Sequence, residues 1–223
     1  MTRQHSPDFT WNTIDLVFLD LDGTLLDKYF DDFFWEEYVP EVYSQKNNVD
    51  PQECRQLLVS TYKQVESTLQ WTDLNYWSER LNLDIAALKD EIAHLINIRP
   101  FVTEFLEHLK DRGKEIYLVT NAHPRTLEVK LGKIQIGDAF KRIICSQDVG
   151  HAKEQIEFWE TLQTIQPFHK ERTLFVDDTE RVLDSARAYG LKHLIHIAKP
   201  SSKLPPVFSG SYPSIESFRD LLF

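Results

Sequence analysis

"FLDLDGTLLD", residues 18–27, decides how this chain is read. An apolar run, Leu16 to Leu19, leads straight into Asp20 and Asp22, followed by Gly23, Thr24 and Asp27. Unbroken apolar character without polar alternation marks a strand covered on both faces of a parallel sheet. Residues i and i+2 leave an extended segment on the same side, so both carboxylates can face one ligand. Two like charges about 4 Å apart repel by roughly 4 kcal/mol at an effective dielectric near 20. The pair therefore calls for a cation, or for a reaction that uses both groups.

Working outward, the same grammar repeats. "IDLVFL" (14–19), "EIYLV" (115–119), "RIIC" (142–145) and "TLFV" (173–176) read as buried strands, with "LKHLIHI" (191–197) as a fifth. "FVTEFLEHLKDRG" and "DTERVLDSARAYG" have apolar residues at helical spacing and end at Gly113 and Gly190, as capped helices do. Strand, helix and strand with short links predict an α/β, Rossmann-like doubly wound parallel sheet. Residues 28–98 break the rule, because they carry helix-compatible patterns such as "PQECRQLLVSTYKQVESTL" and "DIAALKDEIAHLI" and no strand. A connection that long exceeds what a crossover needs. The expected organisation is a core of residues 1–27 and 99–223 with a helical insertion, 28–98. The tail "KPSSKLPPVFSGSYPS" predicts irregular structure before a short helix around 214–222.

Composition excludes several classes. The chain has 223 residues, 42% hydrophobic and 27% charged, which suits one globular core with an insertion. No apolar run approaches the ~20 residues of a membrane span, and "MTRQHSPDFTWN" lacks the apolar stretch of a secretory signal. Cys54 and Cys145 form no metal-ligand spacing, in keeping with a reducing cytoplasm. A formal net charge of −10 argues against a nucleic-acid polymer as partner. It leaves room for a small phosphorylated ligand held in a locally positive site.

Polar residues follow the strands at once: Asp20 and Asp22 the first, Thr120 and Asn121 the second, Asp177 and Asp178 the fourth. Ligands of open parallel sheets bind beyond the carboxyl ends of the strands. Segments distant in sequence would thus deliver carboxylates, a hydroxyl and an amide to one edge. A hard divalent cation resolves the crowding, and Mg²⁺ typically takes one or two carboxylates with waters and a substrate phosphate. No His/Cys ligand set accompanies these aspartates, which disfavours zinc.

In this order, "DLDGTLLD", "VTNAHP", "GHAKE" and "FVDDTERVLDSARAYG" resemble the four motifs of the haloacid dehalogenase superfamily of phosphohydrolases. "TNAHP", "LNYWSERLNLDI" and "FDDFFWEEYVPE" are further similar to the bacterial GMP/IMP 5′-nucleotidases of that superfamily. The resemblance implies Mg²⁺-dependent hydrolysis of a phosphomonoester through an aspartyl-phosphate, with a purine nucleoside 5′-monophosphate as the expected substrate. It implies Asp20 as nucleophile and Asp22 as general acid and base. Thr120, Asn121 and Lys153 would bind the phosphoryl group. The metal would be held by Asp20, the Asp22 backbone carbonyl and Asp178, with Asp177 acting through a water. It also implies that residues 28–98 form a cap. Glu154 stands where the family more often has proline. Sugar phosphates, a phosphomutase reaction or a silent phosphate-binding module are the alternatives.

Other residues allow two readings each. Asp27 suits a helix cap or a hinge, and Asp184 a solvated helix face. His123, before Pro124, either reaches substrate or closes a loop. Within "YFDDFFWEEY", Phe30 and Phe33 are candidates for stacking on a base, or else the apolar core of the insertion.

Overall fold

Strand β1, Leu16–Leu19, is buried along its whole length and lies at the centre of the molecule. It is flanked in parallel by β2, Glu115–Thr120, and β4, Thr173–Asp177, in the computed structural model, which describes residues 9–223. The secretory-signal reading falls mostly on residues 1–8, outside the described residues. With β3 (Arg142–Cys145), β5 (His193–Ile197) and β6 (Ser214–Ile215), the sheet has six strands in the order β3-β2-β1-β4-β5-β6. The order reverses between β1 and β4, where an open parallel sheet forms its crevice. Alternate residues feed two cores. Val17 and Leu19 pack with Leu118 and Val176 on one face, and Leu16 and Phe18 with Tyr117 and Phe175 on the other.

The segment between β1 and β2 is helical, as its pattern predicts. It contains α1 (Tyr29–Phe33), a π-helical turn (Phe34–Tyr38), α2 (Val39–Asn47), α3 (Pro51–Lys63), α4 (Leu69–Thr72), α5 (Leu74–Leu81) and α6 (Ile85–Glu91). Aspartates set several of the starts. Asp50, Asp73 and Asp84 each accept backbone N–H bonds as N-caps. After the segment come α7 (Val102–Asp111), α8 (Pro124–Lys133), α9 (Ser146–Val149), α10 (Ile156–Ile165) and α11 (Glu180–Tyr189). No helix among the described residues is long and apolar enough to cross a membrane.

Three expectations need correction. The first strand begins at Leu16, because Trp11–Thr13 forms a 3-10 turn that brings Ile14 in behind it. "PQECRQLLVSTYKQVESTL" is helical only to Lys63, and a turn through Ser67, whose φ is +64°, separates α3 from α4, which starts at its last residue, Leu69. The helix expected at 214–222 is instead β6 followed by a 3-10 turn, Phe218–Leu221. Pairing of Ser214 and Ile215 with His196 and Ile197 takes the first residues into the sheet. Phe218 then stacks on Phe105 of α7, 4.5 Å between centroids, so side-chain burial overrides local helical pattern.

Both ends of the helical segment pass through one neck. Leu26 and Ile98 form an antiparallel bridge, with Asp27 N–H donating to Asn97 O (2.9 Å) and Arg99 N–H to Leu25 O (3.0 Å). Asp27 also accepts from the Tyr29 and Ser202 amides, both at 3.0 Å, so it opens α1 and pins the C-terminal tail together. Asp184 faces solvent, where it accepts from the Tyr212 hydroxyl at 2.6 Å. The buried guanidinium of Arg99 donates to the carbonyls of Thr24, Lys199 and Glu216, each at 2.8 Å.

Arg99→Met should strand those carbonyls without a donor. Buried unsatisfied groups cost about 1–3 kcal/mol each, so urea unfolding should show a loss of at least ~2 kcal/mol with little change in the denaturant slope. A loss within ~0.5 kcal/mol, the range of a neutral surface change, would show that the neck does not depend on Arg99.

Candidate active site

Asp20 follows β1, Thr120 ends β2 and Asp177 ends β4, so the three neighbouring central strands deliver their polar termini to one edge. Lys153 reaches them from the loop after α9. Its ammonium is 2% exposed and donates to Asp20 Oδ1 at 2.5 Å and Asp177 Oδ2 at 2.7 Å. Its backbone N–H donates to Asn121 Oδ1 at 3.0 Å, while Asn121 Nδ2 donates to Glu154 at 2.9 Å. Glu154 thus gives Asn121 an acceptor that proline could not supply. Thr120 is buried, and its Oγ1 accepts from the Ala122 amide at 3.0 Å.

Asp20, Asp177 and Asp178 each place a carboxylate oxygen within 4.8 Å of the others. Burial lifts the Asp20 carboxyl to about 6 against the opposing charge of Lys153, with Asp177 adding to the rise. Burial, then the charges of Asp177 and Asp20, push Asp178 well above the ordinary range. This cluster lacks positive charge even with Lys153 in place, and a divalent cation with oxygen ligands fits that deficit. Asp177 has both oxygens engaged, Oδ1 accepting from the Thr179 amide at 2.8 Å and Oδ2 from Lys153. Among the described residues Asp178 accepts only from Thr179 Oγ1, at 3.2 Å. Gly23 turns beneath it with φ +85°, and a Cβ there would lie 2.4 Å from Asp178 Oδ2. Only glycine lets the loop pass so close to that carboxylate.

Asp22, one extended step beyond Asp20, has a different environment. Lys130 of α8 donates to its Oδ1 at 2.6 Å. Burial raises the Asp22 carboxyl to about 6 against Lys130, with Asp31 and Asp20 adding to the rise. Asp31, on α1, is held well below the usual carboxylate range because Lys130 and Lys89 together outweigh its burial.

These groups open onto a cavity of about 420 Å³ between the strand ends and the helical segment, a volume in the range of small-molecule sites. Asp20, Asp22, Thr120, Asn121, His123, Lys153, Asp177 and Asp178 all line it. His123 caps α8, its Nδ1 accepting from the Arg125 amide at 3.2 Å, and Nε2 lies 3.9 Å from Asp73, the N-cap of α5. Phe30 and Phe33 lie outside the lining. Phe30 is buried against the ammonium groups of Lys89 and Lys130, and Phe33 packs on Tyr29 and Tyr38. The aromatic wall is made instead by Trp35, Tyr62 and Trp71, which sequence reasoning missed. Nothing in their spacing distinguishes them from core aromatics. Lys89 and Lys130 did leave a signal, since each stands on the apolar stripe of its helix.

A parallel sheet with this strand order, this carboxylate cluster and a lysine bridging two strand ends defines a hydrolase class. Residues 17–195 match the family described as haloacid dehalogenase-like hydrolase. The chain belongs to that family and is a phosphatase enzyme within it. It is 37% identical over 215 residues to the GMP/IMP nucleotidase YrfG of Escherichia coli strain K12, covering 96% of this chain and 97% of that one. The Shigella flexneri protein of the same name gives the same values. Among solved structures, a HAD phosphatase from Thermococcus onnurineus shares the fold with a TM-score of 0.75 and 22% identity, over 93% of this chain and 96% of that one.

Lys153→Met should leave Asp20 and Asp177 buried without their cation. Removing one partner of a buried ion pair costs about 3–5 kcal/mol. The sign with pH follows from carboxyls whose folded pKa lies above the unfolded value. They bind protons more tightly in the folded state, so stability falls as pH rises from the unfolded pKa through the folded one. The deficit relative to the parent, measured by urea unfolding in chelator, should therefore be larger at pH ~8 than at pH ~5. An equal deficit at both would count against Lys153 as the neutralising group.

Proposed function

We propose that this chain is a Mg²⁺-dependent phosphomonoesterase, with purine nucleoside 5′-monophosphates, GMP and IMP, as substrates. The observation that carries the reading is the pairing of Asp20 and Asp22 at the mouth of one cavity, each tied to a different buried lysine. Asp20, oriented by Lys153, is the nucleophile that attacks phosphorus and forms an aspartyl-phosphate. Asp22 protonates the leaving oxygen and then takes a proton from the water that hydrolyses the intermediate. Thr120 and Asn121 donate to the phosphoryl oxygens. An alkoxide leaving group needs an acid at position 22, which favours ester hydrolysis over dehalogenation.

Mg²⁺ would be held by Asp20, Asp178 and the Asp22 carbonyl, with Asp177 as an outer support, and when bound it offsets the charge of carboxylates and phosphate. Asp178 suits direct coordination because among the described residues Thr179 Oγ1 alone donates to its side chain, whereas both Asp177 oxygens are engaged. Residues 28–98 serve as the cap that excludes water and reads the substrate beyond phosphate. The aromatic wall of Trp35, Tyr62 and Trp71 suits a purine ring. The base preference draws its support from the 37% identity to the E. coli GMP/IMP nucleotidase along nearly the full chain. The free buried cysteines fit a cytoplasmic setting.

EDTA should abolish activity and Mg²⁺ restore it. By isothermal titration, Asp178→Asn should weaken Mg²⁺ binding more than Asp177→Asn does; the reverse order would exchange their assignments. On a phosphoester panel, GMP and IMP should exceed AMP, pyrimidine nucleotides and sugar phosphates in kcat/KM. A sugar phosphate ranking first would overturn the substrate while leaving the hydrolase class.

Asp20→Asn should remove turnover. Asp22→Asn should still be phosphorylated at Asp20 by p-nitrophenyl phosphate, whose leaving group needs no proton, and then hydrolyse the intermediate ~10²–10⁴-fold more slowly. Mass spectrometry of quenched enzyme locates the label. A phosphoryl group on His123 or His151 would overturn the nucleophile.

A further inference from the structure

Lys130 and Lys89 occupy positions where their helices are otherwise apolar. On α8, Lys130 lies between Leu127 and Ile134; on α6, Lys89 lies among Ile85, Leu88 and Ile92. Both are almost fully buried, at 1% and 2% exposure. Three aromatic rings surround the Lys89 ammonium, those of Phe30, Phe34 and Trp35, at 5.0, 4.3 and 5.5 Å. Asp31 answers both lysines, with Oδ1 accepting from Lys89 at 3.0 Å and Oδ2 from Lys130 at 2.6 Å. Lys130 completes the row by donating to Asp22 Oδ1 at 2.6 Å. Asp31 and Lys89 belong to the helical segment; Lys130 and Asp22 belong to the elements around the sheet.

The four charges sum to zero, but stability does not explain them. Apolar residues of similar volume often replace a buried ion pair without loss, or with a gain. What the row achieves is geometric. Lys130 takes Asp22 Oδ1 and leaves Oδ2 without a protein partner among the described residues. The same ammonium is fixed from behind by Asp31, whose own position is set by the aromatic-walled Lys89.

We propose that Lys130 is the positioning residue for Asp22, and that Asp31, clamped by Lys89, makes its grip depend on the helical segment resting against the strand ends. This rests on Asp22 acting as the general acid. In that step the bond from phosphorus to the leaving oxygen breaks while the bond from the Asp20 carboxylate to phosphorus forms. The proton on Asp22 passes to the leaving oxygen. Lys130 holds Oδ1, so Oδ2 is the oxygen that carries this proton toward the ester. Without Lys130 the Asp22 carboxyl turns freely, and delivery fails only for leaving groups that need a proton.

The test uses two small substrates of nearly equal size, p-nitrophenyl phosphate and benzyl phosphate, on the full-length enzyme with Mg²⁺. kcat/KM reports the steps through release of the first product, hence the phosphorylation of Asp20. Lys130→Met should lower kcat/KM for benzyl phosphate at least ~10-fold more than for p-nitrophenyl phosphate, as loss of general-acid delivery requires. Asp31→Asn should shift the ratio in the same direction and by less. Equal losses on both substrates would mean that Lys130 binds phosphate or merely supports the fold, and would overturn the proposal. Should Lys130→Met fail to fold, an unchanged ratio in Asp31→Asn overturns it as well. Asp22→Asn separates the two levels. If its ratio does not fall, the acid assignment itself is wrong. If it falls there and not in Lys130→Met, only the positioning role fails.

Discussion

One ammonium group holds the centre of this molecule together. Lys153 lies buried between the carboxylates that follow β1 and end β4, at 2.5 and 2.7 Å, and its backbone is fixed by the side chain that follows β2. Adjacent parallel strands whose termini both carry aspartate would otherwise push apart at the edge where they need to be closest. The sheet order, with β1 between β2 and β4, brings those ends together, and the lysine makes the juxtaposition tolerable. Burial still leaves Asp20 and Asp178 reluctant to ionise, so the edge retains an appetite for further positive charge. A divalent cation with oxygen ligands would answer that imbalance.

The two ends of the cavity differ in kind. At the strand termini, every polar group is fixed by a neighbour: Asn121 by Lys153 and Glu154, Asp177 by Thr179 and Lys153, Asp22 by Lys130. The helical wall offers ring faces instead, with Trp35, Tyr62 and Trp71 tilted or edge-on to one another within about 6 Å. A hydrogen-bonded frame suits chemistry on one invariant group. Aromatic surfaces suit the part of a ligand that varies between substrates, since they accept planar rings without demanding one pattern of donors. The two ends of the cavity thus offer a ligand different chemistry, hydrogen-bonding and charged groups at one and ring faces at the other.

Much of the first end was legible in sequence, because strands covered on both faces are continuous apolar runs and their polar successors must converge. Asp20, Thr120 and Asp177 needed no more than that. Lys153 was reached through resemblance, since its loop has no strand signature of its own. The second end was opaque: Trp35 and Phe34 are neighbours in one aromatic stretch, yet one lines the cavity and the other is buried, a distinction that composition does not reveal. Phe30, on α1, takes the core alternative of its two readings. Ser214 and Ile215 escaped because a two-residue strand has no periodicity, and only the edge of β5 gives it a partner. Lys89 and Lys130 were visible as lysines on apolar stripes, though their partner Asp31 could be found only in three dimensions.

The position of β1 has a consequence for how the molecule is made. It precedes the other five described strands in the chain, yet Leu16 finds its partners at Glu115 and Thr173, on either side. The whole helical segment must emerge before one edge of "LVFL" is covered, and most of the chain before the other. Closing such long loops is slow, because the entropy is lost before any contact repays it. The most apolar strand of the sheet, with both edges open, thus spends the longest time unsatisfied on a growing chain, and chaperone engagement during synthesis would fall first on the segment that leads into Asp20.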